Sequence, residues 1–283
     1  MGSAILKNSR GISIDEVVDS YWVFLARNKY DAHLHRFKQR LTSGSKAAAE
    51  AEAVVFSFLW SSRVRPDIFE DISTGGPDFI CQPNEKDKFL VEVTSLESGA
   101  VARRSTLPDK IDGRGGGAFG LITENLRRAV GAKAFQLANY PHPRVLAIAS
   151  SHVFATILMD ALPAQNLLIS DPMISYRIGD PTGRATQVTD LQRSAFLRTD
   201  KSRTKIVPCR QSISAILLVA MCWNQAHIVG ILHPEPVVAF DPELLRQVPY
   251  VRLKNWPITN GSLEPEWIES AENPAVFHYG RIR

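Results

Sequence analysis

Two carboxylates sit inside apolar, strand-forming runs with thirteen residues between them, and this placement constrains the chain more than any other feature. Asp78 follows Gly76-Pro77 and precedes Phe79-Ile80-Cys81. Glu92 lies within Phe89-Leu90-Val91-Glu92-Val93-Thr94. Runs of β-branched and aromatic residues bounded by chain breakers read as strands. Burying an ionised carboxylate in such a run is costly unless it is paired or holds a metal. The link between the runs, Gln82-Pro83-Asn84-Glu85-Lys86-Asp87, is rich in turn formers and charge, so a hairpin is expected. A hairpin would set Asp78 beside Glu92, the oxygen pair that a hard divalent cation needs.

The surrounding pattern predicts an α/β protein with a mixed central sheet flanked by helices. Residues 12–41 read as one long helix or two, opened by Ser13 with Glu16 as a capping box. Thr42-Ser43-Gly44-Ser45 breaks it. An alanine-rich helix over 46–62 follows, with Val55, Phe58, Leu59 and Ser62 as its buried side. Glu52 shares that side by i+3 and i+7 spacing, and Glu50 lies nearer the flank. Either acid could reach the hairpin. Short strands are expected at 67–72 and 77–81 and a stronger one at 88–94. A glycine-rich connection over 97–118 leads to a helix over 119–139 and an apolar strand at 145–149. That strand–helix–strand order predicts a parallel crossover. Beyond it lie a helical stretch over 151–168, a polar, loop-rich segment over 170–212, an apolar hairpin from 213 to 233 and a loop-like tail after 250. The expected organisation is an N-terminal helical segment (1–45), a core (46–150) and a C-terminal extension (151–283) packed on that core.

The chain has 283 residues, 45% of them apolar, and a net charge of +4. This permits a polyanionic partner without demanding one. Cys81, Cys209 and Cys222 are far apart and form no Cys-x-x-Cys pair, which argues against a zinc site of the usual spacing and for reduced thiols in a cytoplasmic protein. The longest uncharged apolar run, 213–223, is too short to span a bilayer, so no membrane role is expected. No P-loop, Gly-x-Gly-x-x-Gly or Gly-x-Ser-x-Gly motif supports nucleotide hydrolysis or acyl transfer. His142 reads as a turn residue between prolines, and His227 and His233 as buried, satisfied histidines. His33 and His35 point different ways on a helix.

Taken in order, a helix with Glu52 or Glu50, a strand, a strand with Pro77-Asp78, a strand with Glu92-Val93-Thr94, then a helix and a strand, this core resembles the PD-(D/E)xK phosphodiesterase superfamily with its restriction-endonuclease-like fold. The helix around Glu52, Val55, Leu59 and Trp60 is similar to the first helix of that superfamily's Holliday-junction resolvases. Gln136-Leu-Ala-Asn-Tyr140 is similar to the Gln-x-x-x-Tyr motif of its exonuclease branch. The resemblance covers about 46–150. It implies metal-dependent hydrolysis of nucleic acid, DNA favoured, with Mg²⁺ or Mn²⁺ held by Asp78, Glu92, the Val93 carbonyl and a helix glutamate. A homodimer is among the partners it implies.

The chain departs from that pattern at Thr94, where the family carries a lysine. Thr94 shares a strand face with Glu92 and can bind water or a phosphate oxygen, but it supplies no positive charge. Lys133, one helical turn before Gln136 and about two before Tyr140, is the candidate replacement. Arg103, Arg104, Lys110 and Arg114 follow the Glu92 strand and would lie near the metal. Arg198, Lys201, Arg203 and Lys205, in the basic stretch from Arg177 to Arg210, would form a second wall of a nucleic-acid groove. Tyr176 and Phe196 are aromatic candidates for base stacking. The same sequence also admits a different class of function. A protein that keeps this fold and binds nucleic acid or a protein partner without turnover would tolerate Thr94.

Overall fold

The computed structural model describes residues 11–43, 45–97, 119–170, 172–176, 185–189, 191, 194–202, 205–258, 263–268 and 275–282. Helices α1 (Ile14–Arg27), α2 (Asp31–Thr42) and α3 (Lys46–Ser61) come first. Strands β1 (Pro66–Ile68), β2 (Phe79–Cys81) and β3 (Phe89–Ser95) follow. Then come α4 (Phe119–Gln136), β4 (Arg144–Ser150), α5 (Ala155–Leu158), α6 (Ala161–Ile169), β5 (Pro172–Tyr176) and β6 (Ala185–Thr189). The chain continues through β7 (Leu197–Thr199), β8 (Ile206–Pro208), β9 (Ala215–Met221), β10 (Gln225–Leu232), β11 (Tyr250–Leu253), β12 (Pro265–Ile268) and β13 (Ala275–His278).

Nine strands form one mixed sheet in the order β1-β2-β3-β4-β9-β10-β11-β12, with β13 also paired to β10. The expected hairpin is present: β2 and β3 are antiparallel, with Phe79 opposite Val91. The crossover through α4 is present as well, since β3 and β4 run parallel. β9 pairs parallel with β4 on one side and antiparallel with β10 on the other. The apolar hairpin therefore occupies the middle of the sheet, and the sheet runs unbroken across residue 150.

Alternation along the strands sends side chains into two cores. Phe89, Val91, Val145, Ala147, Leu217 and Val219 join α1 and α3 in one. Leu146, Ile148, Ile216 and Leu218 join α4, α5 and α6 in the other. Every residue of β4 and of β9 is buried, the pattern of a strand covered on both faces. Each fully buried Val, Leu or Ile contributes about 1.5–3 kcal/mol, so this centre supplies the rigid frame.

Of the two readings of 12–41 the structure takes the second, two helices that reverse at Lys29 with φ 61°. Four expectations change. Helix α3 is buried from Ala51 through Leu59 on all sides, because α1 and α2 cover the face that the sheet does not. The strand expected at 67–72 is only Pro66–Ile68. The tail after 250 is not all loop: β11, β12 and β13 join the sheet, with Leu253 opposite Pro265 in the β11–β12 pair. These strands are four residues each, and proline, which cannot donate to a ladder, is confined to their edges. In the segment read as loop, β5–β6 and β7–β8 form two small hairpins.

Candidate active site

The β2–β3 pairing sets the site. With Phe79 opposite Val91, the next rung places Asp78 opposite Glu92. Gly76-Pro77 bends the chain there, with Gly76 at φ 134°, a conformation that glycine adopts at no steric cost. One Asp78 oxygen accepts a hydrogen bond from the Val93 amide at 2.7 Å. A cavity of about 300 Å³ opens at this end of β3. Its walls include Asp78, Glu92, Val93, Thr94 and Ser95 from the hairpin, Glu52 from α3, Arg40 from α2, Glu70 after β1, and Lys133 and Gln136 from α4.

Lys133 donates to a Glu92 oxygen at 2.5 Å and to the Gln136 side-chain oxygen at 3.1 Å. Gln136 in turn donates to the Gly76 carbonyl at 3.4 Å. The i,i+3 spacing on α4 thus spans the cavity from one acidic strand to the other. Glu92 is 3% exposed, and its second oxygen is buried without a hydrogen-bond partner. Burial pushes the Glu92 carboxyl above its usual range, and the Lys133 ammonium offsets part of that rise. Asp78 is held well above the usual range by loss of hydration, then by the adjacent charges of Glu92 and Glu52. Among the described residues Asp78 has no cationic partner.

Glu52 is treated differently. One oxygen accepts from the Tyr21 hydroxyl at 2.9 Å and the other from Arg40 at 2.5 Å. Burial raises its carboxyl, while Arg40 and the tyrosine pull it back. Glu70 is bound by Arg36, and its backbone carbonyl meets His33 at 2.8 Å. Arg36 and Arg40, one turn apart on α2, therefore clamp two acids of the cavity.

The sequence-derived residues Asp78, Glu92, Val93, Thr94, Glu52, Lys133 and Gln136 all line this one cavity. Glu50 does not; it pairs with Lys46 at 3.2 Å. Of the two helix glutamates left open by the sequence, Glu52 faces the cavity. Tyr140 lies past the end of α4 at the rim, where a Cβ built on Gly76 would come within 2.9 Å of its hydroxyl. Arg198, Lys201 and Lys205 are exposed on and beside the β7–β8 hairpin, outside the lining of the acidic cavity. Arg103, Arg104, Lys110, Arg114 and Arg203 lie outside the described residues. Phe196 is fully buried and closed to base stacking. His233 is buried and satisfied, bonded at its two nitrogens to the Cys209 carbonyl and the Glu235 amide.

Arg40, Glu70 and Tyr21 were not anticipated. The i,i+4 pair Arg36 and Arg40 beside buried Phe37 is the signal that could have revealed the clamp.

Comparison of the chain with known protein families, with curated proteins and with solved structures returned no match.

Among the described residues no three carboxylate, imidazole or thiol groups stand together at metal-ligand spacing. Asp78 and Glu92 nevertheless fit a divalent ion. They are adjacent, they offer only oxygen, Glu92 has an unsatisfied buried oxygen, and Asp78 has no cationic partner among the described residues. Both Glu52 oxygens are already engaged, which makes Glu52 the weaker ligand. A buried carboxylate pair of this kind is stabilised by a hard cation. No helix among the described residues is long and apolar enough to cross a membrane.

Proposed function

We propose that the acidic cavity is the catalytic centre of a nuclease that hydrolyses phosphodiester bonds of nucleic acid, DNA favoured, with Mg²⁺ or Mn²⁺. The observation that carries this reading is the Asp78–Glu92 pair: two adjacent carboxylates, one with a buried unpartnered oxygen, facing a cavity into which a lysine projects. Asp78 and Glu92 would hold the ion, with the Val93 carbonyl as a further oxygen ligand. When bound, the ion would lower the pKa of water and offset charge on the phosphoryl oxygens.

The protein's own groups account for the rest. The Val93 amide fixes the rotamer of Asp78, so the two acids stay in register. Lys133 brings a positive charge to the position where the strand offers only Thr94, and Gln136 holds Lys133 and Gly76 together. That charge would stabilise an attacking hydroxide or the anionic phosphoryl oxygens. The Thr94 hydroxyl is on hand for a water or phosphate oxygen. Arg40, through Glu52, positions the rear wall. The electrostatics favour this use over a structural one, because neighbouring acids with raised pKa values destabilise a fold that gains nothing from them.

A plasmid-nicking assay with Mg²⁺ or Mn²⁺ tests the reading. The parent is expected to cleave and Asp78→Ala to be inactive. A parent that shifts DNA on a gel but leaves it intact would establish the second reading, a nucleic-acid-binding protein without turnover. Thr94 and the closed Lys133–Glu92 ion pair favour that alternative.

A further inference from the structure

A second cavity of about 500 Å³ lies between α4 and the β7–β8 hairpin. Its walls include Arg127 from α4, Arg198 from β7, and Cys209, Arg210 and Gln211 after β8. We propose that this cavity binds a phosphoryl group, with Arg127, Arg198 and Arg210 as its cationic contacts. The proposal stands apart from the acidic cavity and does not depend on catalysis there.

Charge balance carries the argument. Arg127 meets Glu124 through two 2.8 Å bonds, but that carboxylate is shared with Arg128, also at 2.8 Å. Arg198 and Arg210 make no ion pair among the described residues. Among the described residues, one shared carboxylate therefore serves three guanidinium groups around a single space. Arg210 is substantially buried, and both its burial and the neighbouring Arg127 and Arg198 charges work against its own charge. For Arg210, partly buried and without a carboxylate partner among the described residues, that charge is costly to maintain. A multiply charged oxyanion removes the repulsion, and guanidinium forks match phosphate geometry in two-point contacts.

The backbone supports the same conclusion. Arg210 adopts φ 58°, a left-handed conformation that a side chain rarely takes. One guanidinium nitrogen donates to the Ala195 carbonyl at 2.5 Å, with the Ser194 carbonyl at 3.4 Å. The side chain also rests against α4 at Gly131. The head group is thus braced in place, and strain held by surrounding structure concentrates at functional positions. The volume of about 500 Å³ admits free phosphate and leaves room for a larger phosphate ester.

Cys209 supplies a reporter, since its sulfur lies 3.7 Å from an Arg210 nitrogen. The rate of thiol alkylation would be followed on the full chain with inorganic phosphate, against chloride at equal ionic strength. Phosphate is expected to slow labelling of Cys209 several-fold and to leave Cys222, remote from this cavity, unaffected. Arg198→Gln and Arg210→Gln should each raise the phosphate concentration that gives half of that protection about tenfold or more. Arg210 also braces the chain at 194–195, so exposed Arg198 provides the variant that leaves the fold intact. Asp78→Asn should protect like the parent even if it no longer cleaves, which separates this site from the acidic one. A nucleoside monophosphate and an oligodeoxynucleotide without terminal phosphates form two further arms. Protection by the first alone identifies a small phosphate ester, and protection by the second identifies a strand backbone. Protection by phosphate no greater than by chloride, or undiminished protection in Arg198→Gln, would overturn the proposal.

Discussion

Helix α4 separates two cavities of opposite character. On one side Lys133 enters a space lined by Asp78, Glu92, Glu52 and Glu70; on the other Arg127 enters one shared with Arg198 and Arg210. The acidic cavity brings most of its own counter-charge: Arg40 serves Glu52, Arg36 serves Glu70 and Lys133 serves Glu92. Only Asp78 is left over. Among the described residues, the arginines of the basic cavity have one carboxylate partner, Glu124, shared between Arg127 and Arg128. The first is nearly balanced, with a local deficit of one positive charge beside a buried unpartnered oxygen. The second carries a bulk excess of positive charge. A compact cation suits the former, and a larger, multiply charged anion the latter.

The largest effect that would break this contrast is on chemistry. In the nicking assay, Asp78→Ala and Glu92→Gln should each lose about 10³-fold or more in rate, and Lys133→Ala about 10²-fold. If Lys133→Ala cleaves at the parent rate, the lysine does not replace the missing strand cation.

Next is stability at the balanced end. Arg40→Met leaves the buried Glu52 carboxylate without its cation and should cost about 2–3 kcal/mol in a denaturant titration, since breaking such a pair strands a charge. Arg40 is partly exposed, which moderates the loss. Glu52→Gln placed on top of it should recover most of that loss. A full loss in the double variant would show that packing, not charge, is at stake.

Asp78 should behave in the opposite sense. Its carboxyl is raised in the fold by lost hydration and by Glu92 and Glu52. Above the ordinary aspartate range the unfolded chain releases this proton more readily than the fold does, so the metal-free protein loses stability as pH rises. Asp78→Asn should therefore stabilise the metal-free chain by about 1 kcal/mol at neutral pH and flatten that slope. Destabilisation by Asp78→Asn would mean that the acid is a structural partner of the Val93 amide and nothing more.

The smallest effect belongs to Arg198. Exposed and without an ion pair among the described residues, it should alter stability by no more than about 0.5 kcal/mol when changed to Gln, while removing most of the phosphate response.

What the sequence reveals follows from how local each feature is. Asp78 and Glu92 are legible because a single hairpin brings them together, and the chain breakers that make the turn are written between them. Lys133 and Gln136 are legible by helical spacing. Glu52 could be narrowed only to one of two residues, because a surface acid and a site acid look alike until the neighbouring helices are placed. Arg40 and Glu70 are hidden for a related reason. Each reads as an ordinary charged position, and their roles arise only when α2 folds over the end of β1. Strands β11 to β13 are masked by their prolines and their brevity. They are held by β10 and by each other rather than by their own propensity.

The central claim is that Asp78 and Glu92 together hold a divalent ion, and calorimetric titration of the full chain with Mn²⁺ tests it most directly. The account predicts saturable binding to the parent, with a matching rise in thermal stability, and its loss in Asp78→Asn. A parent that takes up no Mn²⁺, or an Asp78→Asn variant that binds it as tightly as the parent, would contradict the account.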